Sequence, residues 1–133
     1  MAETFRVEIV SADRVVWEGD ATQLIATTTE GEVGILAHHI PLIATLAAGT
    51  AEVTASDGTR HMIAVDGGFV SVTTDIAAII CPYAQLARDI NVDEARRALL
   101  DLGAKLEAGD NSLATRSAYR RAQAQVKAAE QPD

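Results

Sequence analysis

The sequence has 133 residues, 48% of them hydrophobic, and a formal net charge of −8 at pH 7, which is enough chain for one substantial domain or a small domain with an appendage. The acidic balance argues against binding to nucleic acid, because a phosphate backbone is bound by lysine and arginine that displace its counterions. The single cysteine excludes an internal disulfide, and no apolar run of transmembrane length or leader pattern is present, so we expect a soluble cytoplasmic protein.

Charge divides the chain into two parts. Residues 1–86 contain eleven acidic and three basic side chains, whereas residues 87–133 contain eight of each. The change falls between Tyr83 and Arg88, where the residue pattern also changes. Such an asymmetry predicts a boundary, with an acidic domain at residues 1–86 and a separate charge-balanced segment at residues 87–133.

The first part has the patterning of β-strands. Phe5, Val7 and Ile9 alternate with polar residues, and similar short stretches follow at 15–17, 24–28, 51–56, 59–65, 69–73 and 76–81. Turn signals separate them, among them Asp57-Gly58, which predicts a hairpin. Signals that recur about every eight to twelve residues predict an antiparallel β-sandwich of about ten short strands in residues 1–86.

The stretch from Glu30 to Leu42 combines bending residues with polar ones inside an aliphatic setting. Gly31, Gly34 and Pro41 favour a bent backbone. Glu32 and His39 lie among aliphatic residues, and an unpaired charge is costly to bury. We therefore expect part of this loop to face water or a partner.

The second part has helical periodicity. Asn91 can cap a helix, with Glu94 three residues later completing a capping box. An apolar stripe then follows at Ala95, Leu99, Leu102 and Leu106. After a break at 109–112, a second helix is expected with one face formed by Thr115, Ala118, Tyr119, Ala122, Val126 and Ala129, and with Arg116, Arg120 and Lys127 opposite. This predicts an antiparallel helical hairpin, too short to be stable alone and suited to be a moving element.

Several ordered blocks resemble the epsilon subunits of bacterial F-type ATP synthases. The resemblance rests on Glu30–Ile35 with His39-Ile40-Pro41-Leu42, on Ser11 and Gly49, on residues 63–72, and on Val92-Asp93-Glu94-Ala95-Arg96. These blocks span residues 5–97. The sequence departs from the family pattern at His38, where glycine is usual, and at Arg97, where many members have alanine.

The resemblance implies a non-catalytic central-stalk subunit that couples rotation of the c-ring and gamma shaft to ATP synthesis. The expected partners are the gamma subunit, the c-ring and, through the hairpin, the catalytic beta and alpha subunits. The expected location is the cytoplasmic face of the cell membrane, peripheral and held there only by the complex. No resident cofactor or metal is expected.

The resemblance also implies the residues that carry these contacts. The c-ring and gamma interface would contain Glu30, Glu32, His39, Pro41, Leu42, Gly67 and Gly68. The second helix would inhibit ATP hydrolysis through Arg116, Arg120 and Lys127, for which a solvated face is the plainer interpretation. A regulatory ATP site would use Asp93, Arg96 and Arg97, although Arg97 puts a long charged side chain where a base would pack. The plainer interpretation of Gly67-Gly68 is a turn that permits close packing.

Two other classes stay open on the residues alone. A cupin-like metal enzyme would use Glu32, His38, His39 and His61, but adjacent strand residues point to opposite faces and there is no His-x-His pair. A small-ligand-binding sandwich module is the second. Nucleophilic catalysis is disfavoured because Cys81 lies in an apolar strand, and no phosphate-binding loop of an ATPase is present.

Overall fold

Eight strands and two helices make up residues 3–130, the part of the chain that the computed structural model describes. The strands are β1 (Phe5–Val10), β2 (Val15–Thr28), β3 (Gly31–Ile35), β4 (Leu42–Ala55), β5 (Arg60–Asp66), β6 (Phe69–Val72), β7 (Ile76–Ile80) and β8 (Tyr83–Leu86). A 3-10 turn at Ala87–Asp89 then leads into α1 (Val92–Glu107) and α2 (Leu113–Glu130). The expected boundary after residue 86 falls at the end of β8, and residues 1–2 and 131–133 of the two expected domains lie outside the described range.

The strands form the predicted sandwich, because β2 and β4 are long enough to take part in both of its layers. One layer has the order β2-β1-β7-β6-β4 and the other the order β3-β2-β4-β5-β8. The register of β2 shifts between Ala21 and Gln23 where it passes from one layer to the other. The expected count of about ten strands is therefore corrected to eight: the two layers have five strands each, but β2 and β4 are continuous strands that belong to both.

Side chains that alternate inward along the strands fill the space between the layers. The largest fully buried ones are Val7, Ile9, Leu24, Ile35, Val53, Ile63, Val70 and Ile79. One pairing departs from the antiparallel expectation, because β1 runs parallel to β7 with Val7 opposite Ala77. The predicted hairpin at Asp57-Gly58 is confirmed: it joins β4 to β5, and Gly58 has a φ of 88°.

The first helix begins at the predicted cap, and the second begins at a serine within the predicted break at 109–112. The Asn91 side chain accepts a hydrogen bond from the backbone N–H of Glu94 at 3.1 Å. At the second helix, Ser112 Oγ accepts the N–H of Thr115 at 3.2 Å. Neither helix in the described part of the chain combines the length and apolar character that a membrane span requires.

The hairpin packs on the sandwich through a face of α2 that the sequence pattern did not single out. Tyr119 of the predicted apolar face packs on Gly103 of α1. Ala124 and Ala128 lie on another side of α2 and are buried against β5, in a cluster with Met62 and Ala64. The second helix is thus buried along two faces, with α1 on one and the outer surface of β5 on the other.

Candidate functional site

The structure divides the Glu30–Leu42 stretch into a turn, a strand and a second turn. Thr28 Oγ1 fixes the first turn, since it donates to the carbonyl of Gly31 at 2.6 Å and accepts from the N–H of Glu30 at 3.1 Å. Glu32 follows in β3, opposite Thr27 of β2. Both glutamates are exposed, so they form an acidic edge of the second layer.

His39 and Pro41 lie in the second turn, beyond the far end of β3. The five residues of β3 separate this turn from Glu30, a span of about 16 Å at the ordinary rise of a strand. The loop expected as one contact region is therefore two regions at opposite ends of an edge strand. His39 donates from Nδ1 to the carbonyl of Ile40 at 2.6 Å, which fixes its tautomer.

Backbone geometry explains why glycine would suit position 38. His38 has a φ of 66°, and it is the only residue other than glycine with a positive φ within residues 3–130. An L-residue in this conformation is strained, although histidine tolerates it better than most. The four candidate metal ligands do not converge: His61 packs against Trp17 with ring centroids 5.5 Å apart, and residues 3–130 contain no group of three or more side chains able to hold a metal.

An exposed apolar surface covers the outer side of the first layer, and the sequence analysis missed it. Phe69 of β6 and Ile80 of β7 are cross-strand neighbours there, and both are nearly half exposed. Ile43 of β4, on the same side, is 77% exposed. Ile76 extends the surface along β7. We call Ile43, Phe69, Ile76 and Ile80 the apolar face.

On the same outer side of the first layer, charged residues of β1 and β2 lie next to the apolar face. Arg6 and Glu8 of β1 face outward beside β7, and Arg6 lies 3.2 Å from Glu18 of β2. The sequence of β7 contains a signal that could have predicted the apolar face. Every residue of this strand is apolar, and because neighbouring strand residues point to opposite sides of a sheet, half of these side chains must point away from the core. Contiguous exposed apolar surface of this kind marks interaction sites.

The glycine pair at 67–68 turns between β5 and β6 and has a structural role at its second position. Gly68 has a φ of 86°, and a Cβ there would lie 2.2 Å from the carbonyl oxygen of Ile80 and 2.6 Å from Cα of Cys81. Gly67 has a φ of 75° with no atom within 4 Å of such a Cβ. Close packing therefore requires glycine only at position 68, while position 67 requires it for backbone conformation.

Cys81 is a core residue, as the sequence indicated. It is 5% exposed, and burial raises the pKa of its thiol to about 11. A thiol that stays protonated at neutral pH is a poor nucleophile, which agrees with the absence of a predicted catalytic role.

The basic residues of α2 have different environments. Arg116 and Lys127 are exposed. Arg120 lies 3.8 Å from the carboxylate of Asp66, the last residue of β5, and the neighbouring Arg121 lies 3.5 Å from it. Sequence reasoning missed Arg121, although it lies three and seven residues before the buried Ala124 and Ala128 and so shares their helical face.

The residues expected to bind nucleotide lie beside a cleft but do not belong to its lining. Asp93, Arg96 and Arg97 are exposed at the start of α1, where Arg96 lies 3.7 Å from Glu130. A cleft of about 290 Å³ lies nearby, lined by Gln85, Asp89, Ile90, Asn91, Glu94, Ala95, Ala98 and Gln125. This lining contains two carboxylates and no basic side chain, which is unfavourable for a triphosphate.

Known proteins share both the sequence and the fold. The model of the ATP synthase delta/epsilon chain β-sandwich domain matches residues 4–87. The ATP synthase epsilon chain of Cutibacterium acnes is 43% identical over 108 residues, covering 80% of this chain and 74% of that protein. The epsilon chain of Rhodococcus jostii is 44% identical over 109 residues, covering 81% and 88%. A chain in the cryo-EM structure of the Euglena gracilis mitochondrial ATP synthase (OSCP/F1/c-ring) has the same fold, with a TM-score of 0.77 and 24% identity over 96% of this chain and 79% of that chain.

Proposed function

The chain belongs to the family of ATP synthase epsilon chains, which are non-catalytic subunits of a membrane-associated complex, and we propose that its sandwich joins the gamma shaft to the c-ring. In this role the subunit transmits torque between proton flow and ATP synthesis. It lies on the cytoplasmic face of the cell membrane and is held there by its partners alone.

The apolar face is the observation that supports docking to the shaft. Ile43, Phe69 and Ile80 leave large apolar side chains in water, which is unfavourable unless a partner covers them. A long coiled-coil shaft has apolar residues that could cover this sheet side, while the adjoining Arg6 and Glu18 would form the polar rim of the contact.

The acidic edge suits a contact with the polar loops of the c-ring. Glu30 and Glu32 are exposed and sit on an edge strand, which has backbone groups available on its free side. Opposite charges on the ring loops would guide docking and fix its register. His39 and Pro41, at the other end of β3, would contact a second part of the interface.

The hairpin is the proposed regulatory element. In the structure it is docked on the sandwich, with Arg116 and Lys127 of α2 exposed. If it moved away from β5, its basic side could reach acidic helices of the catalytic subunits, and hydrolysis would be inhibited. An ATP site at Asp93, Arg96 and Arg97 would stabilise one of the two positions, with its phosphates on the exposed arginines and outside the acidic cleft.

A charge on the apolar face tests the shaft contact. Ile43→Glu should lower co-purification with gamma by roughly tenfold, because the carboxylate would be desolvated in the interface. Leu100→Glu is the matched control, since Leu100 is 75% exposed but lies on α1, away from the sheet. Both substitutions should leave the fold intact because both positions are exposed. Wild-type levels of gamma bound to Ile43→Glu would contradict the proposal.

A further inference from the structure

A polar cluster connects the hairpin to the sandwich beside the alanine contact. Its centre is Asp66, which is 6% exposed at the end of β5. Arg120 and Arg121 approach its two carboxylate oxygens from α2, at 3.8 Å and 3.5 Å. A buried carboxylate needs such partners, because an unpaired charge in this position is costly.

A second set of contacts fixes Arg121 and the next turn of α2. The guanidinium of Arg121 lies over the ring of Tyr83, 4.5 Å from its centroid. Gln125 Nε2 donates to the hydroxyl of Tyr83 at 2.8 Å, and that hydroxyl donates to the side-chain oxygen of Gln85. Burial raises the pKa of Tyr83, which keeps this hydroxyl protonated as a donor.

These contacts are specific to the docked hairpin. Asp66 and Tyr83 belong to the sandwich, whereas Arg120, Arg121 and Gln125 belong to α2. The contacts of Asp66 and Tyr83 with α2 are therefore lost when the helix leaves, and only the hydrogen bond from Tyr83 to Gln85, within β8, does not depend on docking. The cluster borders a cleft of about 560 Å³ between α2 and the β5–β6 turn. Both arginines are about half exposed and can therefore be reached by solvent and by other anions.

We propose that Asp66 is an internal counter-ion that holds Arg120 and Arg121 in the docked hairpin and competes with acidic surfaces of a partner for the same two guanidinium groups. The proposal rests on the proposed function, in which the hairpin has a second position. A partner shifts the hairpin only by the difference between its affinities for the two positions. Asp66 sets part of that difference, because each arginine must give up this carboxylate before it binds another.

Hydrogen exchange of the isolated full-length protein tests the counter-ion directly. Asp66→Asn should accelerate exchange of the α2 amides roughly fivefold or more, since two ion pairs are lost. Amides of β1 and β7 should not change. Asp75→Asn is the matched control, because Asp75 is an exposed carboxylate of the sandwich. Wild-type exchange in α2, or equal acceleration in both parts, would overturn the proposal.

Combined variants distinguish a direct pair from a general loss of stability. Replacing Arg120 and Arg121 together by Gln should accelerate α2 exchange as Asp66→Asn does. The triple variant should then show little further acceleration, because the two sites share one interaction. Fully additive effects would overturn the proposal.

Hydrolysis by the assembled complex separates this inference from the proposed function. If the hairpin inhibits, Asp66→Asn should lower ATP hydrolysis, because more of the hairpin is released. Faster α2 exchange with unchanged hydrolysis would support the counter-ion and reject the inhibitory role. Unchanged α2 exchange would reject the counter-ion whatever the hydrolysis rate.

Discussion

A methyl group added at Gly68 should lower the free energy of unfolding by a large amount for so small a change. Its Cβ would lie 2.2 Å from the carbonyl oxygen of Ile80, so the turn and β7 must separate by about 0.8 Å merely to reach 3.0 Å, below which real Cβ contacts essentially never occur. Backbone hydrogen bonds hold both sides: the Gly68 carbonyl accepts from Leu46 at 2.9 Å, and the N–H of Cys81 donates to Val10 at 3.0 Å.

Two costs therefore add in Gly68→Ala. The left-handed backbone costs an L-residue about 1–2 kcal/mol, and overpacking costs about 1–3 kcal/mol more. Gly67→Ala has only the first cost, because its φ is also positive but nothing lies within 4 Å. The reduced conformational freedom of the unfolded chain offsets about 0.4–1 kcal/mol in both variants. The difference between the two variants thus isolates the close approach, at about 1–3 kcal/mol.

Urea denaturation followed by circular dichroism measures this difference. At about 1–3 kcal/mol per M of urea, Gly68→Ala should unfold about 1 M below Gly67→Ala. Labelling of Cys81 by a thiol reagent at pH 8 gives an independent readout: its pKa of about 11 keeps it protonated there, and Gly68 covers it. Gly68→Ala should be labelled faster than Gly67→Ala. Equal midpoints and equal labelling would refute the steric reasoning.

The acidic edge and the second turn should contribute to binding of the c-ring. Glu32→Ala and His39→Ala should each weaken co-purification with the c-ring, and the double variant should weaken it further, whereas the control Glu107→Ala on the hairpin should not. Unchanged co-purification and unchanged proton-coupled synthesis would reject this interface. Deleting residues 88–133 should leave coupling intact and raise ATP hydrolysis, and equal hydrolysis would show that the hairpin does not inhibit. His38→Gly should stabilise the protein by about 1 kcal/mol or less through relief of its positive φ. His38→Ala controls for the lost imidazole and should bring no gain; a gain as large as that of His38→Gly would show that φ is not the cause.

Local signals predicted what is locally determined. The alternation in β1, the Asp57-Gly58 turn and the Asn91 cap depend on residues close in sequence, and all three are present in the structure. Layer membership depends instead on pairing between distant segments. The sequence from 15 to 28 therefore predicts two strands, because the irregular stretch near Ala21 has the local pattern of a break. In the structure this stretch is a bulge in one strand, which pairs with β1 before it and with β4 after it.

The candidate surfaces divide in the same way. Glu32 and His39 were found because polar residues in an aliphatic setting are visible in one segment. The apolar face was missed because Ile43, Phe69 and Ile80 look like core residues until their strands are placed. The pairing of Asp66 with Arg121 connects two elements that meet only when the hairpin docks, so no spacing rule could reveal it.

The composition of the docked face suits a helix that can leave it. Ala124 and Ala128 are the buried contacts of α2 with β5, and an alanine methyl contributes only about 0.8 kcal/mol when buried. Leucine at either position would contribute more but needs space that a close helix-to-sheet contact does not leave. The alanines therefore let α2 pack closely on β5 while contributing little free energy that would be lost if the helix left. The contacts of α2 with Asp66 and Tyr83 fix the orientation of the helix. In the proposed two-position hairpin, a contact divided in this way would let a partner with a few kcal/mol of differential affinity change which position is populated.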